Sequence, residues 1–148
     1  MTFADAMSEC GLIAILRGIA TAEVEAVGQA LVESGIRVAE IPLNSPGPFA
    51  SIEKMATAFK GRLVVGAGTV LSVPDVNLLK VHDGQISVSP DCNAAVIARA
   101  RELGLEPVPG VFTPSEAFAA IRAGASHLKL FPAEAADRKS TRLNSSHQ

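Results

Sequence analysis

Two charged side chains lie within short runs of sequence that are otherwise apolar. Lys129 is the centre of His127–Phe131 (HLKLF), and Glu40 lies within Val38–Leu43 (VAEIPL). In extended backbone, successive side chains point to opposite faces, so Lys129 would face away from Leu128 and Leu130, which we expect to pack under helices. Burial disfavours the ammonium form of a lysine, and a neutral amine is what a Schiff-base nucleophile requires. The alternative is a lysine whose head reaches solvent from a short edge strand.

Glu40 follows the same alternation. It shares a face with Val38 and Pro42 in its run. If that face is the one on which Lys129 lies, the carboxylate is either an ion-pair partner of the amine or a general acid and base beside it. A structural Lys–Glu pair is the simpler alternative, since such pairs are common.

Two further residues stand where strand-like runs end. Arg17 follows Leu12–Leu16 (LIAIL), and its planar guanidinium suits a substrate carboxylate, although a salt bridge at the rim is equally compatible. Thr69 follows Gly66–Gly68 (GAG), where glycines allow close approach of backbone and the threonine N–H and hydroxyl could bind an anion. Alone, that short string is weak support for a site.

The histidines and cysteines do not indicate a metal or a thiol nucleophile. His82 lies in a polar stretch and His127 begins an apolar run, and neither has partners at metal-ligand spacing. Cys92 has no histidine close to it in sequence, so we expect a small packing residue. We therefore predict no metal and no cofactor.

The elements that would hold these side chains alternate between strand and helix. Helical patterns separate the apolar runs, and their start and stop signals are Thr21 as N-cap with Gly35 after the end, Ser72, Asp91 or Asn93, and a capping box formed by Thr113, Pro114 and Glu116. The apolar runs are Leu12–Leu16, Val38–Leu43, Leu63–Val65, Gln85–Ser89, Leu105–Val108 and His127–Phe131. This alternation predicts βαβ units and a parallel sheet.

Two parallel architectures compete. A doubly wound sheet typically has a glycine-rich phosphate loop after its first strand. Here the first strand is followed instead by Arg17–Gly18. A (β/α)₈ TIM barrel places polar and reactive residues at the ends of its strands, as this sequence does. We therefore predict an α/β fold of the (β/α)₈ family, as an incomplete barrel of about six βα units.

Composition limits the function classes. Of 148 residues, 48% are apolar and 19% charged, which excludes a disordered chain, and the net charge of −2 provides no basic surface for nucleic acid. No apolar run reaches the roughly 18 residues of a membrane helix. The N-terminus does not resemble a signal peptide, and Cys10 and Cys92 do not make a disulfide framework. We expect a cytoplasmic protein without nucleic-acid or membrane partners.

The last twelve residues differ from the rest. The apolar pattern stops at Ala136, and the segment 137–148 (DRKSTRLNSSHQ) is polar. We predict that residues 1–136 form the barrel domain and that residues 137–148 are a disordered tail or are not native sequence.

Six strings, in order along the chain, resemble the aldolases of 2-keto-3-deoxy-6-phosphogluconate and 2-keto-3-deoxy-6-phosphogalactonate. They are GLIAILRGI, AEIPLNSP, VVGAGTV, SVSPD, PVPGVFTPSEAF and HLKLFPAE, and they span about residues 10–136. The string from Glu40 to Pro46 resembles the phosphogalactonate branch. The phosphogluconate branch tends to carry a Leu-Arg-Thr string there, and its substrate-holding arginine is replaced by Asn44.

The resemblance implies a role for each residue. Lys129 would form a Schiff base with the 2-keto carbon, and Glu40 would be the general acid and base. Arg17 and Thr69 would hold the pyruvate carboxylate, and Pro90 would line the pocket. The implied reaction is reversible cleavage of 2-dehydro-3-deoxy-6-phosphogalactonate, a phosphorylated keto acid, to pyruvate and D-glyceraldehyde 3-phosphate in a cytoplasmic homotrimer.

Other functions stay open. The substrate could be the phosphogluconate epimer or 4-hydroxy-2-oxoglutarate, or the chain could be an inactive barrel fragment that only binds a partner. Family members continue into a seventh and an eighth strand whose glycine-rich ends bind phosphate, and this sequence lacks that part. Because exposed strand edges and an open interior favour aggregation, we expect this chain alone to fold poorly or to be weakly active.

Overall fold

Strands and helices alternate along residues 1–136, which are the residues that the computed structural model describes. The strands are β1 (Ile13–Ile15), β2 (Val38–Pro42), β3 (Val64–Gly68), β4 (Ile86–Val88), β5 (Glu106–Val108), β6 (Gly110–Val111) and β7 (Lys129–Leu130). The helices are α1 (Phe3–Glu9), α2 (Val24–Glu33), α3 (Pro48–Ala58), α4 (Val73–Val81), α5 (Ala94–Glu102), α6 (Pro114–Ala123) and α7 (Ala133–Ala136), and a 3₁₀ turn at Thr21–Glu23 precedes α2. Five of the six predicted apolar runs contain a strand, and the sixth, Leu63–Val65, holds only the start of β3, which continues to Gly68.

Within residues 1–136 the strands form two parallel sheets, each in chain order. β1 to β5 pair with their neighbours in sequence, and β6 pairs with β7. The extended segment that begins in the fifth predicted run, Leu105–Val108, is longer than expected, because it continues beyond Pro109 as β6. Proline has no N–H for the ladder, and the strand changes partner around it. The carbonyl of Pro109 accepts a hydrogen bond of 2.8 Å from the backbone N–H of Lys129, which attaches β7 to the sheet.

Apolar side chains cover both faces of the sheet. The outer face packs against the helices, with Ile41, Val65 and Ala67 among its buried residues. The inner face contributes Val38 and Val64 to a second core. Two separate cores on alternate residues of the same strands are what a curved sheet wrapped in helices requires.

Helix α1 closes the inner core from one end and was not predicted from the sequence. Phe3 and Ala6 are buried with the inward residues of the strands. The helix begins with a capping box, in which Thr2 Oγ1 accepts from the backbone N–H of Asp5 and the Asp5 carboxylate accepts from the N–H of Thr2. Its seven residues are too few to give a clear helical period in the sequence.

The predicted helix ends are mostly confirmed. Ser72 and Asn93 are the N-caps of α4 and α5, so Asn93 and not Asp91 begins the latter helix. Thr113 and Glu116 form the predicted capping box of α6. Gly35 follows the end of α2 with a φ of +85°.

Thr21 as the N-cap of α2 was wrong. Its hydroxyl makes a hydrogen bond of 2.7 Å with the hydroxyl of Ser51 on α3. The free backbone N–H of Ala20 is satisfied instead by the carboxylate of Glu23, at 2.9 Å. The Thr21 hydroxyl, which local spacing assigned to the start of α2, therefore makes a tertiary contact with α3 instead.

The outer strands leave apolar side chains uncovered. Ile15 of β1 is 55% exposed and Leu130 of β7 is 54% exposed. The sequence predicted that Leu128 and Leu130 pack under helices, but no helix of residues 1–136 buries them.

The segment 137–148 lies outside the described residues, so the prediction for it remains a prediction. Within residues 1–136, no helix is long and apolar enough to cross a membrane.

Gly28 allows α2 to pack closely on Phe59, and alanine there should destabilise the protein. An added methyl group would overlap the Phe59 ring. Overpacking costs about 1–3 kcal/mol, and the gain in helix propensity offsets only about 1 kcal/mol. We expect Gly28→Ala to lower the free energy of unfolding by up to about 2 kcal/mol in urea titration. Gly11→Ala is the control, because no atom lies within 4 Å of its new methyl group; equal effects of the two changes would refute the packing argument.

Candidate active site

Glu40 lies in the most completely buried part of the sheet. All five residues of β2 are buried, and Glu40 is 3% exposed. The backbone fixes its height, since it pairs with Ile15 on one side and Gly66 on the other. The carboxylate extends toward Gly68 at the end of β3, where an added methyl group would overlap it. Gly68 therefore provides the space that the carboxylate fills.

Burial and charge act on this carboxyl in opposite directions. Desolvation raises the pKa of Glu40, and the positive charges of Lys129 and Arg17 lower it to a smaller extent. Among residues 1–136, no group hydrogen-bonds Oε2, although this oxygen is buried. A buried carboxyl with a free oxygen and a raised pKa holds its proton to a higher pH than an exposed glutamate does, which suits a group that both donates and accepts a proton.

Lys129 belongs to the same end of the sheet. It begins β7, pairs with Gly110 of β6, and its charge acts on the Glu40 carboxyl. Its Nζ lies 4.7 Å from the centre of the Phe131 ring. The side chain is half-buried and not fully enclosed, because β7 has no strand on its other side within residues 1–136.

His127, two residues earlier on the same face, has a structural role. Its Nδ1 lies 3.0 Å from Oε1 of Glu106, and its ring meets the Phe3 ring edge-on at 4.8 Å. It therefore lies beside the α1 end of the inner core, and Lys129 lies one layer further along the strand.

Arg17 and Thr69 follow the ends of β1 and β3. Arg17 is exposed, and its Nη1 donates a hydrogen bond of 3.1 Å to Oδ1 of Asn44. Thr69 has a φ of +57°, a left-handed conformation that is unusual for a β-branched residue. Such strain is often found at binding sites.

Pro90 follows β4 at the same edge of the sheet. It is partly buried, and its carbonyl packs so closely on Gly110 that an added methyl group there would overlap it. Before it, buried Ser89 donates from Oγ to the carbonyl of Val70 at 2.8 Å. This bond ties the end of β4 to the segment after Thr69, and sequence alternation alone did not identify it.

Cys92 is a packing residue in its surroundings. Its thiol lies 3.5 Å from the carbonyl of Glu116, and burial raises the pKa of the thiol, helped by nearby carboxylates. Within residues 1–136, no three histidines, cysteines or carboxylates cluster as metal ligands would.

Comparison with known proteins identifies the family of this chain. A family model described as KDPG and KHG aldolase matches residues 4–139. The chain belongs to the KDPG and KHG aldolase family. The predicted family and the predicted TIM-barrel class are both confirmed.

Two relatives and one solved structure are similar over most of the chain. A protein of Rhizobium meliloti named "Probable 2-dehydro-3-deoxy-6-phosphogalactonate aldolase" is 51% identical over 122 residues, 82% of this chain and 58% of the relative. The 2-dehydro-3-deoxy-6-phosphogalactonate aldolase of Escherichia coli is 43% identical over 84% of this chain and 60% of the relative. A native KDPGal structure has a TM-score of 0.83 and 39% identity, over 90% of this chain and 65% of that one. The chain thus spans about 60% of the length of these curated relatives.

The raised pKa of Glu40 has a consequence for stability. The folded chain holds this proton more tightly than the unfolded chain, whose ordinary value is 4.5. The free energy of unfolding of the unsubstituted parent chain should therefore fall as the pH rises from 4.5 through the pKa of Glu40 in the folded state. Above that pKa, the contribution of Glu40 should no longer change with pH. Glu40→Gln should lack this component in denaturant titrations at a series of pH values.

Glu33→Gln is the control, since Glu33 is an exposed glutamate on α2. If Glu40→Gln follows the same pH profile as Glu33→Gln and the parent, the buried carboxyl does not have the raised pKa described.

Proposed function

We propose that this chain carries the Schiff-base site of a class I aldolase, a carbon–carbon lyase that reversibly cleaves 2-dehydro-3-deoxy-6-phosphogalactonate to pyruvate and D-glyceraldehyde 3-phosphate. The main support is the buried Oε2 of Glu40, which has no hydrogen-bond partner among residues 1–136 and lies within the field of the Lys129 charge. The names of the two relatives support the same substrate.

Lys129 is the proposed nucleophile. In its neutral form Nζ attacks the ketone carbon C2, and the resulting carbinolamine loses water to give an iminium ion. Glu40 protonates the carbinolamine hydroxyl, which then leaves as water, and the free oxygen of the Glu40 carboxyl suits that role. The iminium then accepts the electron pair of the C3–C4 bond as that bond breaks.

Glu40 also serves the carbon–carbon step. In its ionised form the carboxylate removes the proton of the C4 hydroxyl, the aldehyde departs, and an enamine of pyruvate remains on Lys129. Protonation of C3 and hydrolysis of the iminium release pyruvate and restore the amine. A carboxyl with a raised pKa suits both halves of this cycle, because it donates the proton in the first half and accepts one in the second.

Arg17, Thr69 and Pro90 complete the proposed site. Arg17 and the N–H and hydroxyl of Thr69 bind the substrate carboxylate, and Pro90 lines the pocket. Binding of the phosphate and assembly into a homotrimer follow from the family resemblance, and a cytoplasmic location follows from composition; all three remain predictions.

Borohydride reduction in the presence of pyruvate tests the nucleophile. Reduction should fix pyruvate to Lys129 as a stable adduct that peptide mass spectrometry locates. Lys129→Ala should give no adduct, whereas Lys80→Ala, which removes an exposed lysine of α4, should react as the parent does. Absence of an adduct in a folded parent would favour the binding-module alternative, and an adduct on another lysine would refute the assignment.

Cleavage rates with the two epimers test the substrate. We expect the phosphogalactonate epimer to be cleaved faster than the phosphogluconate epimer, since Asn44 stands where the phosphogluconate branch tends to carry an arginine. Equal rates, or faster cleavage of 4-hydroxy-2-oxoglutarate, would move the proposal to the alternative enzyme.

Glu40 and Gly68 should be coupled in activity. Glu40→Gln removes the proton carrier and should lower the cleavage rate about 10²–10⁴-fold. Gly68→Ala keeps the carboxylate but displaces it, and we expect a loss of about 10–100-fold. Gly11→Ala is the control for the added methyl group. A Gly68→Ala variant with parental rates would show that the position of the carboxylate is not important.

A further inference from the structure

The turn after β2 makes two separate contacts with the segment after β1. Asn44 accepts a hydrogen bond from Nη1 of Arg17 through its Oδ1, at 3.1 Å. The next residue, Ser45, is buried and accepts the backbone N–H of Gly18 through its Oγ, at 3.0 Å. Neighbouring residues of one turn thus hold both the side chain of Arg17 and the backbone that follows it.

This turn is rigidly joined to the strand that carries Glu40. The backbone N–H of Ser45 donates to the carbonyl of Pro42 at 2.9 Å, and the N–H of Leu43 donates to the carbonyl of Gly68 at 2.9 Å. Both residues lie directly after the buried strand. Any group that the turn holds is therefore kept at a fixed position relative to the Glu40 carboxyl.

An exposed arginine needs such a partner if it is to bind in one orientation. Ordering a long, flexible side chain costs conformational entropy, because its rotamers are restricted. A bond already made to one guanidinium N–H removes part of that cost before a ligand arrives. Since guanidinium has five N–H donors, four remain for a carboxylate.

We propose that Asn44 is a positioning residue for Arg17, which holds the guanidinium at the mouth of the barrel by accepting Nη1–H and leaves its charge free for the carboxylate of a 2-keto acid. An amide suits this role because it accepts without neutralising, whereas a carboxylate at position 44 would compete with the ligand. Ser45 assists by fixing Gly18. This inference rests on the proposed function in assigning the carboxylate to Arg17.

The test measures how the rate of borohydride trapping depends on the concentration of pyruvate. Asn44→Ala should raise the half-saturating concentration about five- to tenfold, as the loss of one hydrogen bond does, with the saturating rate within about twofold of the parent's. Asn44→Asp should raise the half-saturating concentration further, because the new carboxylate pairs with the Arg17 guanidinium and competes with pyruvate. With pyruvamide, which has no carboxylate, the parent and both variants should behave alike.

A matched control and a double variant separate positioning from general effects. Asn77→Ala removes a similar exposed bond, in which Oδ1 accepts from Nε of Arg99 at 2.8 Å, between α4 and α5. It should leave trapping unchanged. In an Arg17→Ala background, Asn44→Ala should cause no further loss, whereas an added loss would mean that Asn44 contacts the ligand directly and would overturn the proposal.

A measurement without ligand tests the positioning by itself. In arginine-labelled protein, Nη1 held by Asn44 should rotate slowly, and the Arg17 guanidinium nitrogens should give separate NMR signals that merge in Asn44→Ala. Unchanged signals would overturn the inference whether or not pyruvate is trapped. If the signals merge but no adduct forms in the folded parent, the positioning contact stands as a structural fact, but the proposed function fails and with it the carboxylate role. If the parent traps pyruvate and Asn44→Ala is indistinguishable from it, the inference fails and the proposed function stands.

Discussion

The site depends on keeping one carboxyl group out of water. Burying an ionised carboxylate without partners is costly, and proteins offset that cost with nearby positive charge or by binding a proton. At Glu40 both are present, since desolvation raises the pKa while Lys129 and Arg17 act against it. Neither cation is adjacent in sequence, so the fold must bring strands from distant parts of the chain to one end of the sheet. The absence of a side chain at Gly68 is as necessary as the charges, because it leaves the space that the carboxylate fills.

The same alternation that places Glu40 also divides the inside of the sheet into layers. Two residues before Glu40, Val38 lies in the apolar core beneath α1. Two residues before Lys129, His127 packs against Phe3 of that helix. At the α1 end the interior therefore packs apolar side chains against the His127–Glu106 pair, whereas Glu40 and Lys129 lie at the other end. Along each strand, inward-facing residues two positions apart lie in successive layers. The same strands can therefore contribute both to a stable apolar core and to a charged site that is costly to bury.

Regular features could be predicted from the sequence, and features created by distant contacts could not. Strand alternation placed Glu40 and Lys129 on inward faces, and helix caps such as Thr113 depend on residues three positions apart. Helix α1 was missed because it is short and is stabilised by packing on the inner core. The hydroxyl of Thr21 was misassigned because Ser51, thirty residues away, takes it. The glycines before Thr69 were predicted to allow close approach of the backbone, and the structure shows that Gly68 makes room for the side-chain carboxylate of Glu40.

The relative position of the two cations depends on curvature more than on pairing. Arg17 follows β1 and Lys129 begins β7, and within residues 1–136 these strands lie at opposite ends of the strand order. No ladder of hydrogen bonds joins them in that part of the chain, so their separation is set by how tightly the sheet curls. Helix α1 contacts both sides of the curve, since Glu9 forms a salt bridge of 2.9 Å with Arg37 just before β2 and Phe3 meets His127 just before β7. The N-terminal helix is thus attached beside both β2 and β7, and these two contacts oppose an opening of the curve between them.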